Sequence, residues 1–325
     1  MSKSRGAILL VGGMGTRLQP LTLQTPKPML AVAGVPFTEH QIIKAREAGI
    51  SEIVLATSFK AELFEPYFGD GSKFGIKIKY AVENQPLGTG GAIGNAAKSL
   101  GNVDLVAVFN GDVLSGHNLD AQFNFHEANK ADVTLFLTEV ADARAFGAVE
   151  MTGDFKVTAF NEKMENPPTN TINAGCYIFN RDVIDQIPIE KVISVERETF
   201  PNLLASGARV FGYIDRSYWL DIGNPQALLK ASHDLVSGEI FSAATPAHFE
   251  EYLALKGAQI SELAQVGGYS VIGAGAKVMA GAKVMGCVLN DGAVVGARSN
   301  LRNCFIAPNF AVPDATIAEG AFFGY

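Results

Sequence analysis

Up to about residue 140 the apolar positions alternate between two spacings. Ala7–Val11, Glu52–Ala56, Ile76–Val82, Leu105–Phe109 and Val133–Leu137 are short apolar runs, whereas in Pro36–Ala48, Gly90–Leu100 and Leu119–Asn129 the apolar residues recur with a helical period. The runs predict strands and the periodic stretches predict helices, the first opened by Pro36 and closed by Gly49. Taken in turn they predict an α/β domain, a mainly parallel sheet with helices on both faces.

Beyond residue 140 the pattern changes twice. FGAVEMTGDFKVTAFNEK predicts a hairpin turning at Thr152-Gly153-Asp154, and INAGCYIFN a further strand, so an antiparallel extension is expected on the parallel core. A helix near Val195–Ala205, the stretch RVFGYIDRSYWLDIG and a helix over Pro225–Val236 complete a first domain, residues 1–238. Residues 239–262 hold no strong period and are expected to form a linker with some helix. In residues 263–325 small or aliphatic residues return every six positions: Val266, Ile272, Val278 and Val284, then after a slip Val288, Val294, Ile306, Val312 and Ala318, with Asn300 the misfit. A hexapeptide period of inward aliphatics predicts a solenoid β-helix, each coil stacked on the next. The competing reading is a disordered Gly/Ala-rich tail, and disordered tails do not keep apolar residues at a fixed period.

Composition narrows the function. The chain has 325 residues, 48% of them hydrophobic, enough for one large α/β domain plus a smaller one. A formal charge of −7 with no basic cluster gives no field for a nucleic-acid backbone, so nucleic acid is not expected as a partner. No signal-peptide pattern and no membrane-length apolar stretch is evident, so a cytoplasmic protein without a membrane partner is expected. Cys176, Cys287 and Cys304 form no CxxC pair and no even set, which predicts buried reduced thiols.

The candidate chemistry starts in LVGGMGTRLQPLTLQTPKPML. A strand followed by a glycine turn is where α/β proteins bring backbone N–H groups to a phosphate. The spacing is neither GxxxxGK[ST] nor GxGxxG, and the next charged residues along the chain are Arg17 and then Lys27 between two prolines. Gly12, Gly13 and Gly15 would let the backbone wrap a triphosphate, Arg17 would add a fork of donors and Lys27 a point charge. The prolines would restrict that loop. A glycine turn can equally be structural.

Three further places weigh against that bland reading. In VFNGDVL, Asp112 follows an apolar strand, and ligands of open parallel sheets collect at the carboxyl ends of strands. In YWLDIGNP, Asp221 could share one Mg²⁺ with Asp112 and phosphate oxygens; otherwise it could cap the helix starting near Pro225. In FNEKMENPP, Lys163 could hold a second phosphate or be an ordinary solvated lysine at a strand end.

Together LVGGMGTRLQPLTLQTPKPML, ENQPLGTGGAI, FNGDV, FGAVE, FNEK, INAGCYIF and YWLDIGNP, in this order, resemble the sugar-1-phosphate nucleotidyltransferases, or nucleotide-sugar pyrophosphorylases, over residues 6–238. The nearest branch is the guanylyltransferases that make GDP-mannose. The resemblance implies a Rossmann-like, mainly parallel nucleotidyltransferase sheet with a C-terminal left-handed β-helix of hexapeptide repeats. It also implies roles. Gly12, Gly13, Gly15, Thr16 and Arg17 match the loop over the nucleoside triphosphate, and Lys27 its phosphate lysine. Gln85 and Gly88 match the segment that reads base and ribose. Asp112 and Asp221 match the ligands of Mg²⁺, Lys163 the sugar-phosphate lysine, and Gly147, Glu162, Asn173 and Gly175 the groups around the sugar. FNEKME lacks the proline that often follows the lysine in this family, and NGDV has glycine where guanylyltransferases can have serine.

The reaction so implied joins a sugar 1-phosphate, mannose 1-phosphate in the nearest branch, to the α-phosphorus of GTP and expels pyrophosphate. The attacking oxygen is already an anion, and the sequence offers no nucleophilic serine or cysteine beside a histidine. UTP or dTTP with glucose 1-phosphate would use the same residues, and a non-catalytic nucleotide-sugar sensor would be expected to have lost one of the charged groups that are all present here. No histidine follows His248 to serve an acyltransferase on the β-helix, so that region is expected to pack against the catalytic domain or a second subunit, in a homodimer or larger assembly.

Overall fold

The computed structural model describes residues 3–58, 60–83, 85–189, 191–245 and 251–325. Contacts divide the chain into two compact units: residues up to Gly13 together with Gln41–Trp219, and Met14–His40 together with Leu220–Tyr325.

The first unit is built on nine strands: β1 (Arg5–Leu10), β2 (Glu52–Thr57), β3 (Lys77–Val82), β4 (Leu105–Asn110), β5 (Val133–Glu139), β6 (Gly147–Met151), β7 (Val157–Glu162), β8 (Thr171–Asn180) and β9 (Val210–Ile214). The order is β7-β6-β8-β4-β1-β2-β3, with β5 against β8 and β9 against β5. Strands β3, β2, β1 and β4 run parallel, and β8 pairs antiparallel with β4. The hairpin β6–β7 forms the antiparallel extension expected from its turn residues. Chain order reverses beside β1, which has β2 on one side and β4 on the other, and this is the place where open α/β sheets leave a crevice for ligands.

Parallel strands covered on both faces must be apolar throughout, and β1, β2 and β4 are: Ala7, Ile8, Leu9, Val54, Leu55, Val106 and Ala107 are fully buried. One face packs Ile8, Val54, Val106 and Val108 with Ile93, Ala96 and Ala97 of the helix Gly88–Ala97. Helix α1 (Phe37–Glu47) starts one residue after Pro36, which lies in the short strand Val35–Pro36 rather than in the helix. Helix Leu119–Ala128 is capped by Asn118, whose side chain accepts from the Ala121 N–H at 2.9 Å. The helix expected over Val195–Ala205 opens with a π-helical turn at Val195–Thr199 before the α-helix Phe200–Ala205.

In the second unit the strands Ala31–Val32 and Val35–Pro36 pair with each other, and the helix Pro225–Ser237 is capped by Asn224, which accepts from the Ala227 N–H at 2.9 Å. Capping therefore falls to Asn224 and not to Asp221. His40 binds across this unit: Nε2 donates to the Val32 carbonyl at 3.0 Å, and Nδ1 lies 2.7 Å from the Ser242 hydroxyl.

The rest of the unit is the left-handed β-helix, three stacks of parallel strands. Stacking begins earlier than residue 263, since Tyr252–Ala254 pairs with Ser270–Ile272 and Gln259–Ile260 with Lys277–Val278. The expected linker 239–262 is thus partly strand, residues 246–250 lie outside the described set, and the described remainder contains no helix. The inward positions also correct the six-residue count. After Val284 the core is Leu289, Val295 and Leu301, then Ile306 and Val312, whereas Asn300 is exposed and Val294 half-buried. The first coil closes on eighteen residues, as in Gln265 opposite Lys283, and the later ones on seventeen, as in Val284 opposite Leu301 and the Ala274 N–H donating to Asp291. A strict six-residue repeat therefore holds as far as Val284 and loses register once in each coil after it.

The three cysteines are buried free thiols. Cys287 and Cys304, distant in sequence, sit on successive coils, with the Cys304 N–H donating to the Cys287 Sγ at 3.4 Å. Among the described residues no helix is long and apolar enough to cross a membrane.

Candidate active site

The predicted residues of the first unit gather at the carboxyl edge of its parallel strands. Leu10 and Asn110, which end β1 and β4, are register partners. The turn Gly12-Gly13 and the turn Gly111-Asp112 therefore leave the sheet side by side. The Gly111 N–H donates to the Leu10 carbonyl at 3.0 Å, and a methyl at Gly111 would lie only 2.1 Å from that oxygen. Gly12 faces the end of β2, where a methyl would come within 2.7 Å of the Ser58 hydroxyl; at Gly13, with φ 114, nothing lies within 4 Å of such a methyl. Both glycines are exposed, and Asp112 is half-buried.

The neighbouring strands add the residues expected around a sugar. A methyl at Gly175, φ 79, would touch Val113 Cγ2 at 3.0 Å and Asn110 Nδ2 at 3.1 Å, so β8 abuts the Asp112 turn. Asn173 donates to the Tyr177 hydroxyl at 2.8 Å and accepts from the Gly175 N–H at 3.2 Å, within a register shift of β8 against β5. Gly147 and Glu162 are cross-strand partners, and a methyl at Gly147 would meet Glu162 Oε2 at 2.9 Å. Lys163 comes next in a left-handed turn, φ 47, with its ammonium 3.6 Å from Glu162 and largely exposed. Gln85, exposed, and Gly88 come after β3. Gly88 opens its helix, and the Gly90 N–H donates to the Ile193 carbonyl at 2.8 Å, so the glycines of LGTGG admit a close backbone.

In the second unit Gly15, φ 58, precedes a 3₁₀ turn Thr16–Leu18, and its carbonyl accepts from the Thr22 hydroxyl at 2.9 Å. A methyl on Gly15 would meet Lys27 Cβ at 3.0 Å, which sets the glycine loop directly against the lysine turn. Lys27 itself opens the 3₁₀ turn Lys27–Met29 between the buried Pro26 and Pro28. Arg17 and Asp221 lie together above Gly223, where a methyl would be 2.8 Å from Asp221 Oδ2 and 3.3 Å from Arg17 Nη1.

Among the described residues no group of three or more His, Cys, Asp or Glu could cage a metal by itself. Asp112 and Asp221 are half-buried carboxylates. Carboxylate oxygens are hard donors, and in its chemistry each of the two fits Mg²⁺.

The model of the nucleotidyl transferase family matches residues 6–238. The chain belongs to that family. It is 49% identical over 292 residues to mannose-1-phosphate guanylyltransferase of Mycobacterium tuberculosis, covering 90% of this chain and 81% of the relative. With the probable mannose-1-phosphate guanylyltransferase 2 of Oryza sativa it shares 33% identity over 323 residues, 96% of this chain and 85% of the relative. Among solved structures, HddC from Yersinia pseudotuberculosis complexed with GMP-PN superposes with a TM-score of 0.60 at 30% identity, over 70% of this chain and 98% of that one. A putative glucose-1-phosphate thymidylyltransferase from Bacillus anthracis, 22% identical with a TM-score of 0.64, shares the fold.

Two residues that were not singled out from sequence brace the candidate site in this nucleotidyltransferase. Tyr177, fully buried with its hydroxyl pushed well above the usual phenol range by burial, positions Asn173. Trp219 donates its indole N–H to the Ala174 carbonyl at 3.1 Å and packs edge-on against Phe146. A single tryptophan two residues before Asp221 was the available signal.

Proposed function

We propose that this chain transfers the guanylyl group of GTP to mannose 1-phosphate, releasing pyrophosphate and forming GDP-mannose, as a cytoplasmic enzyme. The observation that carries the reading is the pairing of Leu10 with Asn110, which sets the turn Gly12-Gly13 and the turn Gly111-Asp112 side by side at the sheet's switch point, where a glycine turn suits a phosphate. Nearly half of the residues are identical to those of a relative named for this reaction, over nine-tenths of the chain, and this supports the choice of GTP and mannose.

In this reading Gly12, Gly13, Gly15 and Thr16 hold the triphosphate, and Gln85 and Gly88 the nucleoside. Arg17 and Lys27 neutralise the departing pyrophosphate. Lys163 aligns the attacking phosphate, whose oxygen is already anionic and needs no general base. Gly147, Glu162, Asn173 and Gly175 line the sugar. Asp112 and Asp221 are the residues that would hold Mg²⁺, which supplies charge neutralisation at the phosphates when bound. The chemistry is alignment plus electrostatics, as in-line transfer at phosphorus generally is.

Self-association through the β-helix belongs to the same reading and is supported by the exposed Leu263 and Ile317 on it. A purely monomeric species in sedimentation would remove that part. The main test is pyrophosphate release with GTP, ATP, UTP and dTTP against mannose 1-phosphate and glucose 1-phosphate, with and without Mg²⁺. Activity concentrated on GTP with mannose 1-phosphate is expected; activity on another pair would replace the substrates, and silence across the panel would overturn catalysis.

A further inference from the structure

One face of α1 grips the backbone that carries Asp112. Gln41 and Lys44 stand three positions apart, on the same side of the helix. The Gln41 side chain is buried, and its Nε2 donates to the Asn110 carbonyl at 2.8 Å and the Val113 carbonyl at 3.3 Å, on either side of Gly111-Asp112. Lys44 Nζ donates to the Ser115 carbonyl at 2.7 Å and lies 3.0 Å from His117 Nδ1. Burial holds His117 well below the usual imidazole range, so its ring is neutral and can accept from the ammonium, and it stacks on Phe136 with centroids 3.9 Å apart.

From the sheet side, the Gly111 N–H is fixed to Leu10. The turn is thus held by its own strand neighbour and by three carbonyls bound to α1. Burying an amide NH₂ and an ammonium is costly unless hydrogen bonds compensate, and these carbonyls compensate the Gln41 Nε2 and the Lys44 Nζ.

We propose that Gln41 and Lys44 are positioning residues that fix the backbone around Asp112 and so aim its carboxylate at the metal; this rests on the reading of Asp112 as a metal ligand. Supports of this outer kind typically change metal affinity by about 10- to 100-fold when removed.

The test titrates Mn²⁺ into the full chain with GTP present, reads bound ion by electron paramagnetic resonance, and follows thermal unfolding in parallel. Gln41→Met is expected to weaken Mn²⁺ binding about tenfold. His126→Met removes another fully buried polar side chain, one that bonds the Thr134 hydroxyl and Asn180 beside Leu105, at the opposite end of β4 from Asn110, and is expected to leave Mn²⁺ binding as in the wild type at a similar loss of thermal stability. Lys44→Met provides a second variant with the same expectation as Gln41→Met, should that protein not fold. Wild-type Mn²⁺ affinity in a folded Gln41 or Lys44 variant, while Asp112→Asn loses the ion, would overturn the positioning role alone. Wild-type affinity in Asp112→Asn would remove the metal reading itself and the inference with it.

Discussion

Gly111 gives its N–H to the Leu10 carbonyl at 3.0 Å, and the space beside that oxygen is so tight that a single methyl at Gly111 would lie 2.1 Å away. The contact explains why a glycine precedes Asp112: two adjacent parallel strands must end together, and the turn leaving one passes over the last carbonyl of the other. Gly111→Ala has to push the turn outward. It is expected to cost about 1–3 kcal/mol of stability and to lower turnover by at least about tenfold, roughly 1.4 kcal/mol in the barrier. Denaturant unfolding and steady-state kinetics on the same preparation check both.

Asp112→Asn keeps the shape of the side chain and removes its charge. If the carboxylate acts through a metal at the transferring phosphate, turnover should fall by about 10²–10³, with a much smaller change in KM for mannose 1-phosphate. Kinetics at several Mg²⁺ concentrations provide the check, and full activity at saturating Mg²⁺ would contradict the role.

His40 makes stability depend on pH. Burial lowers its pKa from 6.5 to about 4, and the carbonyl of Val32 requires the proton on Nε2, leaving Nδ1 neutral against Ser242. The unfolded chain takes up a proton near 6.5 that the folded chain refuses until about 4. Stability contributed by this neutral histidine is therefore complete above pH 6.5 and is lost as pH falls towards 4, by up to about 1.4 kcal/mol per pH unit. His126, also lowered to about 4 by burial, adds a slope of the same sign. His40→Gln should flatten the dependence of the urea midpoint between pH 7 and 5 (the range chosen for the test).

In the β-helix, Leu301 is fully buried while Asn300 is exposed. Leu301→Ala is expected to cost about 2–5 kcal/mol, and Asn300→Ala less than about 0.5 kcal/mol. Thermal unfolding of the two variants distinguishes this register from one with residue 300 inward.

The same pair shows where sequence reading reached its limit. A six-residue period announces a solenoid because inward aliphatics must stack, but Val294 and Val295 are the same residue type, and Val288 and Leu289 are both apolar. Composition at a corner cannot say which neighbour turns inward; the seventeen-residue coil decides that through its hydrogen bonds. The parallel core was legible because strands buried on both faces must be nearly all apolar, as β1, β2 and β4 are. The hairpin β6–β7 was legible from its turn chemistry.

For the candidate site, the residues whose motifs are local were available from sequence as candidates: Gly12 and Gly13, Asp112, and Lys27 between its prolines. The residues that hold them were not. Gln41 and Lys44 sit in an ordinary amphipathic helix and make their contacts about seventy residues away, with Asn110 and Ser115. Such a role leaves only polar residues on an inward helix face as its trace, and that trace can be recognised only after the helix is docked.

The decisive measurement is incubation of the full chain with GTP labelled at its α-phosphorus, mannose 1-phosphate and Mg²⁺, with separation of the nucleotide products. Guanylyl transfer predicts that the label appears in GDP-mannose in step with pyrophosphate release, and that Asp112→Asn loses both together. Label remaining in GTP, or released as GMP without GDP-mannose, would contradict it.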